Sequence, residues 1–320
     1  MEATHQLGLR KGIILMRVLI TGSEGQLGNA LLRNIPNDLK KENLVILKAN
    51  KKELDLSNEN ACYQYLDKYK PSWIINCGAY TSVDKAEIEP ATAFLVNSKG
   101  PQYLAKKCNE IGCKMIHLST DFVFDGKTKM PYRTEAKTNP INVYGESKAL
   151  GEKLILEQIS LPRNFFIIRT SWVLSNYGNN FLLKIIELLS KKELLHVVND
   201  QIGCITNVNN LAKICWKLLI RADAGFKFPT ILHYCERGSA SWFDVAQKIN
   251  EYILKKKLFK HKSVIIPVNS DFFNLPAKRP NFSLLDCEKT YKLFNFDPPN
   301  WEESITNLLD SIKIESFLNN

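Results

Sequence analysis

A tyrosine and a lysine that could act together lie four residues apart in the segment Tyr144-Gly-Glu-Ser-Lys148. On a helix, this spacing places both side chains on one face, about 6 Å apart along the axis. A free phenol, with a pKa near ~10, is a poor proton donor at neutral pH. A fixed ammonium group beside it favours the phenolate and lowers that pKa, so the pair predicts proton transfer near neutrality. Such pairs also arise by chance on helix surfaces, and the prediction therefore depends on the elements around it.

Hydroxyl groups follow an apolar run just upstream, in His117-Leu-Ser-Thr-Asp121. This pattern is typical of the carboxyl end of a buried strand. If the tyrosine gives its proton to a carbonyl oxygen, hydroxyls at such a strand end can reach the same oxygen.

Three glycines form a turn directly after the first strand-like run, Arg17–Thr21. Gly22 permits a tight turn, Gly25 lets the backbone approach a pyrophosphate, and Gly28 lets the following helix pack on the strand. The helix N-terminus offers free N–H groups and a positive dipole end to phosphates. The spacing is G-x-x-G-x-x-G, and its place between a strand and a helix predicts a dinucleotide site.

Strand-like and helix-like segments alternate as far as residue 170, which predicts an α/β fold with a Rossmann-type, doubly wound parallel sheet. We predict a dinucleotide-binding domain over residues 16–172. A smaller, mostly helical substrate-binding lobe over residues 173–320 is expected to be partly interleaved with the sheet. The predicted strands after Arg17–Thr21 are Leu44–Lys48, Trp73–Cys77, Lys114–Ser119 and Phe165–Thr170. The predicted helices are Asn29–Asn34, Glu59–Tyr69, Ala91–Glu110, Tyr144–Gln158, Phe181–Ser190, Val208–Arg221 and Trp242–Lys257.

Composition excludes several classes of protein. The 320-residue chain is 45% hydrophobic and 24% charged, as is usual for a globular protein. Its formal charge of +10 is spread over short lysine clusters without a nucleic-acid-binding motif, and no run is long enough to cross a bilayer. The eight cysteines form no Cys-x-x-Cys pair, which predicts reduced thiols and a cytoplasmic protein. Residues 1–15 are expected to be an extension, either a disordered tail or a start-site artefact.

From Met16 onward, the sequence resembles the extended short-chain dehydrogenase/reductases and, within them, the dTDP-4-dehydrorhamnose reductase family. So many motifs in the same order are far more specific than any one of them. The matching stretches are Thr21–Gly28, Glu53–Leu56, Asn76–Glu87, Val96–Asn97, Leu118–Gly126, Tyr144–Lys148, Arg169–Trp172, Gly178–Phe181, Val198–Gly203 and Arg279–Pro280.

This resemblance implies reduction of the 4-keto group of dTDP-4-dehydro-6-deoxy-L-mannose by NAD(P)H, which gives dTDP-L-rhamnose for polysaccharide biosynthesis. It implies that Tyr144 donates the proton to the carbonyl oxygen and that Thr120 hydrogen-bonds the same oxygen. Lys148 would bind the nicotinamide ribose and tune Tyr144. The chemistry agrees, because hydride arriving at the carbonyl carbon builds negative charge on the oxygen, which positioned donors stabilise.

The resemblance also implies a cofactor site. An acid after the second strand selects NAD by binding the ribose 2′-hydroxyl. This chain has Asn50, Lys51 and Lys52 there, which favours NADPH with NADH still usable, unless both lysines merely face solvent. Asn97 is assigned to structural support, and Tyr80 could alternatively be an aromatic plug. The implied cofactor-binding residues are Gly22, Gly25, Gln26, Leu27, Gly28, Asn50, Lys51, Asp55, Leu56, Ala79, Tyr80, Thr81, Tyr144 and Lys148.

The implied substrate-binding residues are Thr120, Asp121, Trp172 and Arg279. An indole offers a flat face to thymine or deoxyribose, and a guanidinium suits paired phosphate oxygens. Trp172 could instead be a buried core residue, and Arg279 could form a salt bridge between lobes.

Three departures from the family pattern leave the exact sugar open. The stretch Gly203-Cys-Ile-Thr206 lacks the usual proline, while Phe122 and Leu174 replace tyrosines.

Two other functions share these motifs. A nucleotide-sugar epimerase or dehydratase keeps NAD bound, whereas Lys51, Lys52 and the turn that contains Gln26 favour an exchangeable reductant. A regulatory subunit of methionine adenosyltransferase belongs to the same family, but the intact Tyr–Lys–Thr set favours catalysis. The expected partner is a dTDP-sugar, with no nucleic acid or membrane, and a homodimer is compatible with the resemblance. Some relatives carry Mg²⁺ at a dimer contact, yet no carboxylate cluster here predicts a metal site.

Overall fold

The computed structural model describes residues 15–41, 44–158, 164–259, 262–314 and 317. Residues 1–14, and with them almost all of the predicted extension, lie outside the described residues. The strands are β1 Met16–Thr21, β2 Leu44–Ala49, β3 Trp73–Asn76, β4 Lys114–Thr120, β5 Phe165–Thr170, β6 Val173–Leu174, β7 Leu194–Val198, β8 Ile202–Gly203, β9 Thr206–Asn207, β10 Ile231–Tyr234, β11 Ala240–Ser241 and β12 Val264–Val268. The α-helices are α1 Gln26–Arg33, α2 Asn37–Lys41, α3 Glu59–Tyr69, α4 Val83–Ile88, α5 Pro90–Phe94, α6 Gly100–Ile111, α7 Val143–Leu156, α8 Phe181–Lys191, α9 Val208–Asp223, α10 Trp242–Lys256, α11 Glu288–Phe294 and α12 Trp301–Asp310.

Six parallel strands form the central sheet in the order β10-β5-β4-β3-β1-β2. The chain adds β2 on one side of β1 and then crosses to β3 on the other side, so the strand order reverses between β1 and β3. In open α/β sheets, ligands bind at the carboxyl ends of the strands on either side of such a reversal. The predicted α/β, Rossmann-type fold is confirmed.

Alternating side chains of the sheet pack into two hydrophobic cores, one on each face. Along β1, Leu19 faces one core, while Val18 and Ile20 face the other, because successive strand residues point to opposite faces. The core around Leu19 lies under α3, α6 and α7, and the other core includes most of the buried C-terminal helices. Each face of the sheet is therefore covered, as parallel sheets require.

The predicted single helix Ala91–Glu110 is instead three consecutive segments. The helix α5 is followed by a π-helical turn, Leu95–Lys99, and then by α6. Such turns insert an extra residue and re-aim a side chain, and they are frequent at functional sites. Here the turn carries the buried Asn97.

The C-terminal part of the chain contains short strands as well as the predicted helices. Three pairs of short strands lie outside the main sheet, and β10 joins that sheet beside β5. The eight cysteines all fall within the described residues and are free thiols. Across the described ranges, no helix combines the length and apolar character needed to cross a membrane.

A buried ion pair fastens α7 to the sheet. The Arg169 guanidinium, on β5, donates to both carboxylate oxygens of Glu152, with the Nη2–Oε2 distance at 2.6 Å. Both side chains are 3% exposed, and Ser119 on β4 donates to the same carboxylate. Removing one partner would leave the other charge buried without compensation.

We expect Glu152→Gln to lower the free energy of unfolding by about 3–5 kcal/mol, because Arg169 keeps its charge where its side chain is only 3% exposed. Urea unfolding followed by circular dichroism measures this change. The matched control is Glu157→Gln at the C-cap of the same helix, where the ion pair with Lys153 is solvent-exposed. Exposed pairs contribute about 0–1 kcal/mol. Equal losses for the two variants would contradict a special role for the buried pair.

Candidate active site

A cleft of about 540 Å³ opens where the strand order reverses. It is bounded by the turn after β1, the loops after β2 and β3, the end of β4 and the first turns of α7. Twelve of the fourteen predicted cofactor residues line it, which leaves out Gly28 and Asn50. The lining residues from that set are Gly22, Gly25, Gln26, Leu27, Lys51, Asp55, Leu56, Ala79, Tyr80, Thr81, Tyr144 and Lys148.

The glycine turn has a shape that larger residues cannot adopt. Gly22 has a φ of +58°, and a Cβ there would lie 2.9 Å from the Gly78 backbone at the end of β3. A Cβ on Gly28 would lie 2.6 Å from Ser23 Cα. Gly28 therefore allows helix α1 to pack against the turn, and it does not line the cleft. The N-cap residue of helix α1, Gly25, has no side chain to cap the helix, so the first N–H groups of the helix can bind an anion. These features fit a dinucleotide pyrophosphate.

The loop after β2 places Lys51 and Asp55 at the cleft. Lys51 lines the cleft, whereas the exposed Lys52 does not. Asn50 does not line the cleft, and its predicted contact with the cofactor stays a prediction. Its side chain builds the turn, where it accepts from two backbone N–H groups and donates to Glu24 Oε1 at 2.8 Å. Glu24 also lines the cleft. It was not predicted, because an acid that binds the ribose was expected after the second strand, whereas Glu24 lies in the glycine turn.

The loop after β3 is held by Asn97, the residue of the π-helical turn. Its amide oxygen accepts from Tyr80 N at 2.8 Å, and its amide nitrogen donates to Tyr80 O at 2.9 Å and Ser147 Oγ at 3.0 Å. One side chain therefore ties the cleft wall to α7. This is the structural support that the resemblance implied for Asn97.

Tyr144 lies on the first turn of α7, which is capped by Asn142. The Asn142 side chain accepts from Gly145 N at 2.7 Å, as a helix N-cap does. The Tyr144 hydroxyl is hydrogen-bonded to Thr120 at the end of β4. The Phe122 ring packs edge-on against the Tyr144 ring, with centroids 5.7 Å apart. The predicted donor and the predicted strand-end hydroxyl are thus brought together.

Lys148 lies one turn further along α7 and is almost completely buried, at 2% exposure. Its Nζ donates to Leu118 O at 2.6 Å and lies 3.3 Å from His117 Nε2. Burial lowers the pKa of Lys148 to about 8.

The expected lowering of the tyrosine pKa is wrong. Burial of the hydroxyl raises the pKa of Tyr144 to about 12, although its hydrogen bond to Thr120 opposes this rise. Tyr144 is therefore fully protonated at neutral pH and available as a donor.

Asp121 follows Thr120 and is 2% exposed. It accepts from Thr120 Oγ1 at 3.0 Å and from Ser283 Oγ at 2.5 Å, and its burial raises its pKa to about 6. The second contact joins this edge of the sheet to the C-terminal part of the chain.

Trp172 is half-buried and has an unusual backbone, with a φ of +46° just after β5. Its indole stacks on Trp242 with ring centroids 3.7 Å apart, and Trp242 also contacts Phe181. Left-handed backbone at a bulky residue is costly and tends to occur at functional sites. Trp242 covers one face of the indole, and the predicted contact of Trp172 with the nucleotide-sugar stays a prediction.

Arg279 forms the salt bridge that was considered as its alternative role. Its guanidinium contacts both carboxylate oxygens of Asp84, on α4, at 3.1 and 2.7 Å. It does not line the cleft.

Several residues that line the cleft were not predicted, although some lie in the motifs that carry the family resemblance. Gly178 and Asn179 belong to the Gly-Asn-Asn-Phe stretch, and Thr170 to the Arg-Thr-Ser-Trp stretch. No signal pointed to Leu211. The missed lining residues are Glu24, Leu54, Cys77, Gly78, Val96, Leu118, Ser119, Thr170, Val173, Gly178, Asn179 and Leu211. Throughout the residues that the structure describes, no group of three His, Cys, Asp or Glu side chains could hold a metal ion.

A parallel sheet with a glycine turn at its reversal and a Tyr–Lys–Thr set beside the cleft define an extended short-chain dehydrogenase/reductase. Residues 16–314 match the family model described as RmlD substrate binding domain. The chain belongs to the dTDP-4-dehydrorhamnose reductase family.

Named relatives match over nearly the whole chain. It is 34% identical over 296 residues to the dTDP-4-dehydrorhamnose reductase of Aggregatibacter actinomycetemcomitans, covering 92% of this chain and 98% of the relative. It is 35% identical over 304 residues to that of Sinorhizobium fredii, covering 94% and 99%. The crystal structure of the Bacillus anthracis enzyme in complex with NADP superposes with a TM-score of 0.83, at 34% identity and 92% and 99% coverage.

We expect Gly22→Ala to weaken NADPH binding at least about tenfold, because a Cβ in left-handed backbone costs about 1–2 kcal/mol before its clash with Gly78 is counted. Quenching of protein fluorescence by NADPH measures the affinity. Gly112→Ala is the matched control, since Gly112 has a φ of +70° but open space around its Cβ. Equal affinity in the two variants would show that the turn is not part of the cofactor site.

Proposed function

We propose that this protein reduces the 4-keto group of dTDP-4-dehydro-6-deoxy-L-mannose to dTDP-L-rhamnose with NADPH. The observation that carries the proposal is the hydrogen-bonded Tyr144–Thr120 pair beside the buried Lys148, at the mouth of a cleft suited to a dinucleotide. Family membership supports the substrate, because the relatives described above are named for this reaction.

The chain's own groups do the work at the substrate oxygen. NADPH, when bound, supplies the hydride. Tyr144 gives its proton to the carbonyl oxygen as negative charge develops there, and Thr120 donates a hydrogen bond to the same atom. The Lys148 ammonium binds the ribose and stabilises the phenolate that Tyr144 leaves behind.

Substrate binding uses the carboxyl edge of the sheet and the C-terminal lobe, residues 173–320. We assign Asp121 and Trp172 to the nucleotide-sugar, with Trp242 as part of the same aromatic surface. Arg279 acts through its ion pair with Asp84. Free thiols fit a reducing compartment, so we place the protein in the cytoplasm, where it works on a dTDP-sugar without nucleic acid or membrane and as a homodimer.

The cofactor preference follows from the end of β2. Lys51 provides a cation at the edge of the cleft for a ribose phosphate, which favours NADPH. Glu24, held by Asn50, provides an acceptor for a ribose hydroxyl, so NADH remains usable. The NADP complex of the Bacillus anthracis enzyme supports the first choice.

We expect Tyr144→Phe to lower kcat by about 10²–10⁴-fold, because the variant lacks the proton donor but keeps the ring that packs against Phe122. NADPH oxidation with the dTDP-4-keto sugar measures kcat, and product analysis identifies the sugar. NADPH affinity should stay within a few fold, which is the control for an intact cleft. Near-normal turnover would contradict the assignment. Purification with stoichiometric bound NAD would indicate an epimerase or dehydratase instead.

We expect Lys51→Ala to raise the KM for NADPH about tenfold while leaving that for NADH unchanged, since one charge-assisted contact to a phosphate contributes about 1.5–3 kcal/mol. Lys52→Ala is the matched control, because this neighbouring lysine lies outside the cleft. Comparison of kcat/KM for both cofactors in all three proteins is the measurement. Equal losses with NADH and NADPH would exclude recognition of the ribose phosphate by Lys51.

A further inference from the structure

Four buried polar side chains form a row beneath the cleft. Thr21, Asn76 and His117 stand in register on the adjacent strands β1, β3 and β4, and Lys148 reaches the row from α7. Their exposures are 1%, 1%, 0% and 2%. The reaction proposed above uses Lys148 and gives no role to His117.

The row has a defined hydrogen-bond direction. The backbone N–H of Gly78 donates to Thr21 Oγ1 at 3.1 Å, and the Thr21 hydroxyl donates to Asn76 Oδ1 at 2.6 Å. The Asn76 amide nitrogen therefore faces His117 Nδ1, at 2.9 Å, and donates to it. With the amide reversed, the buried Thr21 proton would have no acceptor among the described residues, which is costly.

This direction decides which nitrogen of His117 carries the proton. A ring nitrogen that accepts a hydrogen bond has no proton, so the neutral imidazole carries its proton on Nε2. Nε2 lies 3.3 Å from Lys148 Nζ, which already donates to Leu118 O at 2.6 Å. An Nε2–H group can donate to the lone pair of an uncharged amine. It disfavours an ammonium, which has no lone pair to accept the hydrogen bond.

Other groups around Lys148 do not outweigh this effect. The Glu152 carboxylate lies one turn further along α7 and favours the ammonium, but Arg169 neutralises it. A Cys77 thiolate, after β3, would favour the ammonium, but burial keeps the pKa of this thiol well above the ordinary value and the group is uncharged. Tyr144, on the same face of α7, is protonated at neutral pH.

Asp121, after β4, faces Tyr144 and is held by its two hydroxyl donors. Burial lowers the pKa of His117 well below the ordinary value, so the imidazole is neutral. The lowered pKa of Lys148, about 8, agrees with a site that tolerates the uncharged amine.

We propose that His117 is a positioning residue, held by Thr21 and Asn76 in the Nε2–H tautomer, which fixes the Lys148 amine against Leu118 and favours its uncharged form before the cofactor binds. The structural part of this proposal is independent of the reaction, and only its kinetic consequence rests on the proposed function. The kinetic consequence is that activity falls at alkaline pH when Lys148 loses its proton.

The tautomer is tested in the full-length protein labelled with ¹⁵N in its histidine rings. Two-bond ¹H–¹⁵N correlation spectra distinguish the Nε2–H tautomer, the Nδ1–H tautomer and the imidazolium, and His117→Gln assigns the His117 signal. We expect the Nε2–H tautomer throughout the neutral pH range. Thr21→Val, which removes the hydroxyl that orients Asn76, should shift the signal toward the Nδ1–H tautomer. An Nδ1–H tautomer or an imidazolium in the unmodified protein would overturn the proposal, whatever the activity.

The kinetic consequence is tested by the pH dependence of kcat/KM. A Gln at position 117 can turn its carbonyl oxygen toward the ammonium, so His117→Gln should move the alkaline limb upward by about one pH unit. His196→Gln, a histidine outside the cleft, is the control and should not move it. A uniform loss of activity with an unmoved limb would reduce His117 to a packing role. Absence of turnover in every protein would count against the proposed function and leave the tautomer result standing.

Discussion

The ion pair between Glu152 and Arg169 is the constraint on which the site depends. It lies in the protein interior, where each charge has lost its hydration, and the three nitrogen–oxygen contacts between the two groups compensate for that loss. Because Arg169 belongs to β5 and Glu152 to α7, the pair sets the height of the helix over the sheet. The same height decides whether Tyr144 meets Thr120 and whether Lys148 reaches Leu118 and His117.

The remaining contacts transmit this placement to the cleft. Asn97 joins α7 to the loop after β3, and Thr21 joins β1 to β3 through Asn76. All of these side chains are buried and hydrogen-bonded, which is how polar groups are kept in a protein interior. The result is a rigid edge at which a phenol, a hydroxyl and an amine are held before any ligand enters.

Local patterns in the sequence were enough for the fold and for much of the site. Apolar runs bounded by turns identified five of the six main strands, and the glycine spacing located the cleft. The failures have a common cause, because they depend on partners distant in the chain. The partner of Arg279 is Asp84, and Asn50 binds Glu24, and neither pairing leaves a local trace. The pKa of Tyr144 was misjudged because burial of the hydroxyl raises it by more than the hydrogen bond to Thr120 lowers it, and burial is a property of the folded chain.

The edge position of β10 has a consequence for synthesis of the chain. This strand, Ile231–Tyr234, completes the sheet beside β5, yet some sixty residues separate the two. During synthesis, one edge of β5 stays unpaired until β10 has been made. Unpaired strand edges favour association with other chains. A fragment that stops after the dinucleotide-binding half would carry that open edge permanently. The C-terminal half of the chain therefore supplies the edge strand of the sheet and covers the side of β5 that would otherwise stay unpaired.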